Sequence, residues 1–150
     1  MPVIVIGADT ELGAAIVAAL SPRSSGLRVF VTDPDIGETF RGQAKVAVGD
    51  VSDGSHVGGA AMGAFCAVVV AEAASDLRER AFADTPDAVF EQWADGLGDA
   101  GIARIIVVGD RTNLPQPDPL EPIAEHLVVD TRGRTIDEIR EQVKALEARD

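Results

Sequence analysis

Apolar residues fall along this chain in two kinds of block. Apolar-rich runs, Val3-Ile4-Val5-Ile6, residues 27–32, residues 45–48, Phe65-Cys66-Ala67-Val68-Val69-Val70-Ala71, residues 102–108 and residues 126–129, read as strands, the first of them buried and residues 65–71 as the middle of a sheet covered on both faces. Between them the apolar positions follow a helical period. Leu12, Ala15, Ile16, Ala19 and Leu20 share one face, which Ser21-Pro22 ends. Val89, Phe90, Trp93 and Leu97 form a stripe behind Thr85-Pro86, an N-cap followed by proline at the first helical position, and Gly98 and Gly101 are expected to end that helix. Thr135-Ile136-Asp137-Glu138 is a capping box that opens a last helix carrying Ile136, Ile139, Val143 and Leu146.

Three segments are less regular. Residues 36–43 are too irregular to predict a full helix, and Ser24-Ser25-Gly26 reads as a loop. Residues 54–63 contain Gly54, Gly58, Gly59 and Gly63, and each glycine inside a helix costs about 1 kcal/mol relative to alanine. A helix there needs tertiary support, and close packing on the sheet is the expected use of its glycines, with a partner helix across an interface as the alternative. Residues 109–125 hold Pro115, Pro117, Pro119 and Pro122 and predict a long irregular connection, a kind of loop that is often functional.

Strands alternating with helical segments predict an α/β, doubly wound, mostly parallel sheet of about six strands in three layers, with residues 1–150 as one domain. A hydrophobic content of 46% suits a sizeable core. The net charge of -12 repels a nucleic-acid backbone, so no nucleic-acid partner is expected. The longest apolar stretch, residues 64–71, is too short to span a bilayer, and no basic segment precedes the first strand, which predicts a cytoplasmic protein without membrane insertion. Cys66 is alone and lies in an apolar run, so it reads as a buried thiol. His56 and His126 are seventy residues apart, and no metal site is expected.

The chemistry sits in the first turn. Gly7-Ala8-Asp9-Thr10-Glu11-Leu12-Gly13 follows a strand, opens a helix and keeps the outer glycines of a G-x-x-G-x-x-G phosphate loop, with Thr10 in the middle glycine's place. The Thr10 side chain either fills the space of a phosphate oxygen or donates its hydroxyl to one. Twenty residues after Gly13, Asp33 stands where an acid accepts hydrogen bonds from a ribose 2′-hydroxyl, which favours NAD over NADP; the alternative is that Asp33-Pro34-Asp35 is a turn.

Residues 7–17, Gly49-Asp50-Val51-Ser52-Asp53 and residues 100–108 together resemble successive landmarks of atypical or extended short-chain dehydrogenase/reductases, including the NmrA-like branch, over about two-thirds of the chain. The resemblance implies a Rossmann fold, with Gly7, Thr10, Glu11, Leu12 and Gly13 by the pyrophosphate, Asp33 at the ribose, Asp50 and Val51 near the adenine, and Ala71 to Ala73 along the cofactor. Members of that family usually work through a tyrosine with a lysine four residues on, but this chain has no tyrosine, and its only lysines are Lys45 and Lys144. Thr112 stands where the family's serine or threonine does; Asp110 and Glu72 are the other catalytic candidates. The family's C-terminal substrate region is also expected to be missing.

Gly49-Asp50-Val51-Ser52 and Asp33 are also similar to the RCK or TrkA-N type of regulatory domain, whose first loop this chain does not share. Residues 126–131 resemble the end of small P-loop kinases, but no G-x-x-x-x-G-K-[ST] occurs. The sequence thus points to a dinucleotide-binding domain acting as a sensor or an assembly module, with homodimer formation or a larger assembly as possible partnerships. A small oxidoreductase or epimerase-like enzyme with a non-standard catalytic group is the alternative.

Overall fold

The computed structural model describes residues 2–22, 26–75 and 80–149. Six strands form one wholly parallel sheet: β1 (Val3–Ile6), β2 (Leu27–Val31), β3 (Lys45–Val48), β4 (Cys66–Val70), β5 (Arg104–Gly109) and β6 (Glu125–Asp130), in the order β3-β2-β1-β4-β5-β6. The order reverses direction between β1 and β4, the point at which open α/β sheets leave a crevice. Strand alternation divides the core in two. Ile4, Ile6, Ala67 and Val69 face one side, while Val3, Val5, Cys66, Val68 and Val70 face the other. Because both faces are covered there, the inner strands β1 and β4 are continuous apolar runs, while the edge strands β3 and β6 are only partly buried.

Helices α1 (Glu11–Leu20) and α5 (Ile136–Glu147) cover the second face; α3 (Gly54–Ala61) and α4 (Pro86–Ala100) cover the first. The short α2 (Pro34–Glu38) follows β2 directly, with Asp33 as its N-cap, so Asp33-Pro34 starts a helix and does not only turn the chain. The capping box of α5 forms with both of its hydrogen bonds, and Trp93 is fully buried. Buried Val17 joins the predicted face of α1, where Leu12, Ala15 and Ala19 are only half-buried. Helix α4 runs through Gly98 and stops at Gly101, which takes the left-handed conformation at φ 74°. Of the expected loop at residues 24–26, Ser24 and Ser25 lie outside the described residues.

The glycines of α3 serve a different purpose from the one expected. A Cβ on Gly58 would lie 2.5 Å from the Gly96 carbonyl oxygen, and one on Gly96 would lie 2.0 Å from the Gly54 carbonyl oxygen. They allow α3 and α4 to touch backbone to backbone within one chain, on top of the sheet. Gly96→Ala must push two main chains apart and should cost about 2–3 kcal/mol in urea unfolding. Gly59→Ala on the same layer meets nothing within 4 Å and should raise stability by up to about 1 kcal/mol. Equal effects of the two substitutions would contradict this packing.

The proline-rich connection from β5 to β6 carries only a 3₁₀ turn, Arg111–Asn113, and a cis Gln116–Pro117 bond. Leu114 and Leu120 sink into the core beside α4. Asp118 accepts from the Leu120 amide at 2.9 Å and pairs with His126 Nε2 on β6 at 3.0 Å, so the loop is pinned at its middle.

Candidate functional site

The first loop is built around Thr10. The Thr10 hydroxyl donates to the Gly7 carbonyl at 2.8 Å and accepts from the Gly13 amide at 2.9 Å, which makes Thr10 the N-cap of α1 and leaves it 7% exposed. Of the two alternatives for Thr10, this geometry speaks against a hydroxyl donated to a phosphate, because it is spent inside the loop. The outer glycines are required by contact. Gly7 has φ 86° and a Cβ there would lie 2.8 Å from Ala73 Cβ, while a Cβ on Gly13 would lie 2.1 Å from the Gly7 carbonyl oxygen. With Gly13 capped and the Ala14 amide bonded to the Thr10 carbonyl, the amides of Glu11 and Leu12 remain without a partner among the described residues. They point out of a helix N-terminus at the C-terminal edge of the sheet, a place suited to an anion.

Asp9 ties this loop to the next. Its Oδ2 accepts from the Thr32 amide at 2.8 Å and the Asp33 amide at 3.1 Å. The Asp33 carboxylate is exposed and caps α2, accepting from Asp35 at 2.9 Å and from Ile36 at 3.4 Å. Two carboxylates therefore stand at the end of β2. Asp9 gave no signal in the sequence beyond its place in the loop, because its role depends on the crossover that brings β2 beside β1.

At the end of β3, Asp50 Oδ1 accepts from the Ser52 amide at 2.8 Å and the Ser52 hydroxyl at 2.7 Å, and Oδ2 accepts from the Ala81 amide at 2.6 Å. Burial pushes the Asp50 carboxyl up, but the Ser52 and Ala81 hydrogen bonds and the Arg80 charge outweigh it and hold the group below its usual value of 3.8. A depressed carboxylate stabilises above its ordinary value and loses that contribution as pH falls through the native one. Hydrogen-exchange protection of the Ala81 amide should be full at neutral pH and fall below pH 3.8, and Asp50→Asn should remove that dependence. Val51 is buried, and its carbonyl accepts from Trp93 Nε1 at 2.7 Å.

Ala71 and Ala73 lie in a 3₁₀ turn, Ala71–Ala74, directly after β4, with Ala73 buried under Gly7. Beside them a cleft of about 510 Å³ opens at the reversal of strand order, walled by Leu12, Ala71, Phe90, Val108 and Leu114 and edged by Glu72 and Asp110. Of the catalytic candidates, Glu72 and Asp110 thus meet at one cleft. Thr112 turns aside, its hydroxyl donating to Asp110 Oδ1 at 2.6 Å. The Asp110 carboxylate also lies 3.6 Å from Arg132, which bonds Asp130 at 3.2 Å. Glu72 is exposed and makes no side-chain hydrogen bond or ion pair among the described residues. A second cleft, about 400 Å³ by Pro2, Leu27, Arg28 and Lys45, lies at the opposite edge, away from the strand ends where such sheets bind ligands.

Burial first, and then the Glu147 charge, push the buried Cys66 thiol up to about 12, which disfavours the thiolate. Among the described residues no group of three or more histidine, cysteine or acidic side chains is placed to hold a metal ion, and no helix is long and apolar enough to cross a membrane.

No family model matches the sequence, and no curated protein matches it. Solved structures match it in fold. ChuY, an anaerobillin reductase from Escherichia coli O157:H7, superposes with a TM-score of 0.72 at 13% identity over 99% of this chain and 91% of its own. A wide-type short-chain dehydrogenase/reductase from Veillonella parvula in complex with NADP gives 0.69 at 12% identity, over 99% and 88%. The Citrobacter sp. triphenylmethane reductase complexed with NADP(H) gives 0.60 at 15% identity, and the chain spans only 46% of it. At these identities the likeness establishes a Rossmann-like fold shared with such reductases.

Proposed function

We propose that this chain binds a nicotinamide dinucleotide across the C-terminal edge of its sheet, as a sensor or assembly module that carries out no tyrosine-dependent hydride transfer. The observation that carries the reading is the pair of amides, Glu11 and Leu12, that have no partner among the described residues and face the crevice between β1 and β4. The fold of NADP-binding reductases supports it. In this reading the pyrophosphate rests on those amides, Gly7 and Gly13 let the backbone come close, Ala71 and Ala73 lie along the cofactor, and Asp33 takes the ribose hydroxyls. When bound, the dinucleotide supplies a nicotinamide ring able to give or accept hydride.

NAD is favoured over NADP. Asp9 and Asp33 place two carboxylates at the end of β2, where a 2′-phosphate would meet like charge. Calorimetric titration with NAD, NADH, NADP and NADPH tests this: saturable binding of the unphosphorylated pair, at least tenfold tighter than the phosphorylated pair, is expected. Binding of none at millimolar concentration would remove the proposal, and a preference for NADPH would remove its selectivity. Thr10→Gly frees the Gly13 amide for the pyrophosphate. It should tighten binding several-fold while costing about 1 kcal/mol of stability through the lost N-cap. Weaker binding by that variant would show that Thr10 itself touches the ligand.

The absence of tyrosine, and a β5–β6 connection that is a proline-rich loop, leave the cleft without the family's usual acid–base pair. A small oxidoreductase or epimerase-like activity is favoured by one observation alone, the placement of Glu72 and Asp110 at the edge of one cleft. Turnover that disappears in Glu72→Gln but not in Asp110→Asn would establish it.

A further inference from the structure

Phe82 stands out among the described residues as an aromatic ring left 56% exposed on a segment whose main chain is firmly held. The amides of Ala81 and Phe82 donate to Asp50 Oδ2 at 2.6 Å and Ser52 Oγ at 3.1 Å. Ser52 is itself fully buried, and Ala83, one residue further on, is in the core. Residues 81–83 are thus fastened on both sides while the ring faces solvent.

The position of the segment that carries the ring follows from the sheet. The Gly49 amide bonds the Val31 carbonyl at 3.0 Å, which sets the end of β3 beside the end of β2. With a pyrophosphate on Glu11 and Leu12 and a ribose at Asp33, the base attached to that ribose extends over the end of β2 toward Asp50 and Val51. The strap carrying Phe82 is hydrogen-bonded to that end of β3. Two of the polar groups there, the Asp50 carboxylate and the Ser52 hydroxyl, are already occupied by the strap and by each other. Recognition of a base at this corner then falls to a flat apolar surface, and an aromatic ring supplies one by stacking.

We propose that Phe82 forms the outer wall of the base pocket and stacks on the adenine of a bound dinucleotide. The proposal rests on the dinucleotide reading above and adds to it the residue that grips the base. The ring then contributes to the binding of every adenine-containing ligand, and to none that lacks the base.

ADP-ribose and nicotinamide mononucleotide separate the two halves of the cofactor. Phe82→Ala, at an exposed position that leaves the fold unchanged in a thermal melt, should weaken ADP-ribose about tenfold and leave nicotinamide mononucleotide unchanged. Phe82→Tyr should restore ADP-ribose binding. Equal ADP-ribose affinity in the parent protein and Phe82→Ala would overturn the role of Phe82 alone. Failure of the parent protein to bind either ADP-ribose or NAD would overturn the dinucleotide reading and this inference with it.

Discussion

Trp93→Ala is expected to lower the free energy of unfolding by about 4 kcal/mol, read from urea denaturation. The indole is fully buried between α4 and the sheet, its ring centroid 5.0 Å from that of Phe90, and its Nε1 donates to the Val51 carbonyl at 2.7 Å. Truncation opens a large cavity and leaves a buried carbonyl without its donor, two losses that add. Trp93→Phe keeps most of the volume and loses the hydrogen bond, and should cost about 1–3 kcal/mol. Because that bond holds the main chain beside Asp50, Trp93→Phe should also weaken dinucleotide binding. A cost below about 1 kcal/mol for Trp93→Ala would mean that the α3–α4 layer repacks freely, contrary to the glycine contacts that hold it.

Arg104→Ala should also be damaging, about 2–3 kcal/mol, for a different reason. Arg104 is 3% exposed at the first position of β5. Its Nη1 donates to the carbonyls of Leu146, Glu147 and Arg149 at the end of α5, and its Nε bonds Glu125 at 2.5 Å. One guanidinium thus closes the C-terminal end of a helix and fastens it to the edge of the sheet. Removing it takes a donor from three carbonyls and from Glu125 Oε1, although Leu146 keeps the Arg149 amide and Glu125 Oε2 keeps Arg149 Nη2. Arg104 stands at the edge of the sheet opposite the crevice, so a variant still folded at low temperature should bind dinucleotide with unchanged affinity. The pair of variants therefore separates stability from site geometry: both melt early, and only the Trp93 substitutions disturb the ligand.

The elements of the fold were legible because each carries a local signal. Consecutive apolar residues mark strands covered on both sides, and Thr85-Pro86 and the Thr135 to Glu138 box mark helix starts by their own hydrogen bonds. Gly7 and Gly13 were legible for the same reason. What the sequence concealed depends on contacts between distant segments. Gly96 lies about forty residues along the chain from Gly54 and Gly58, and only the fold shows that it faces them. Arg104 looks like an interrupted strand until α5 ends beside it. Asp9 and Asp50 look like ordinary loop acids until their partners Thr32, Asp33 and Ala81 arrive from other elements. The sequence leaves open whether Thr10 fills a phosphate's place or donates to it, and its hydroxyl turns inward because the N-cap position offers it two backbone partners at once.

Amide chemical shifts, followed in a ¹H–¹⁵N spectrum while NADH is added, test the central claim most directly. The account predicts saturable shifts that are largest at Glu11 and Leu12, whose amides meet the pyrophosphate, and smaller ones at Gly7, Asp33 and Ala73. Shifts confined to the opposite edge, around Arg28 and Lys45, or no shift at millimolar NADH, would contradict it.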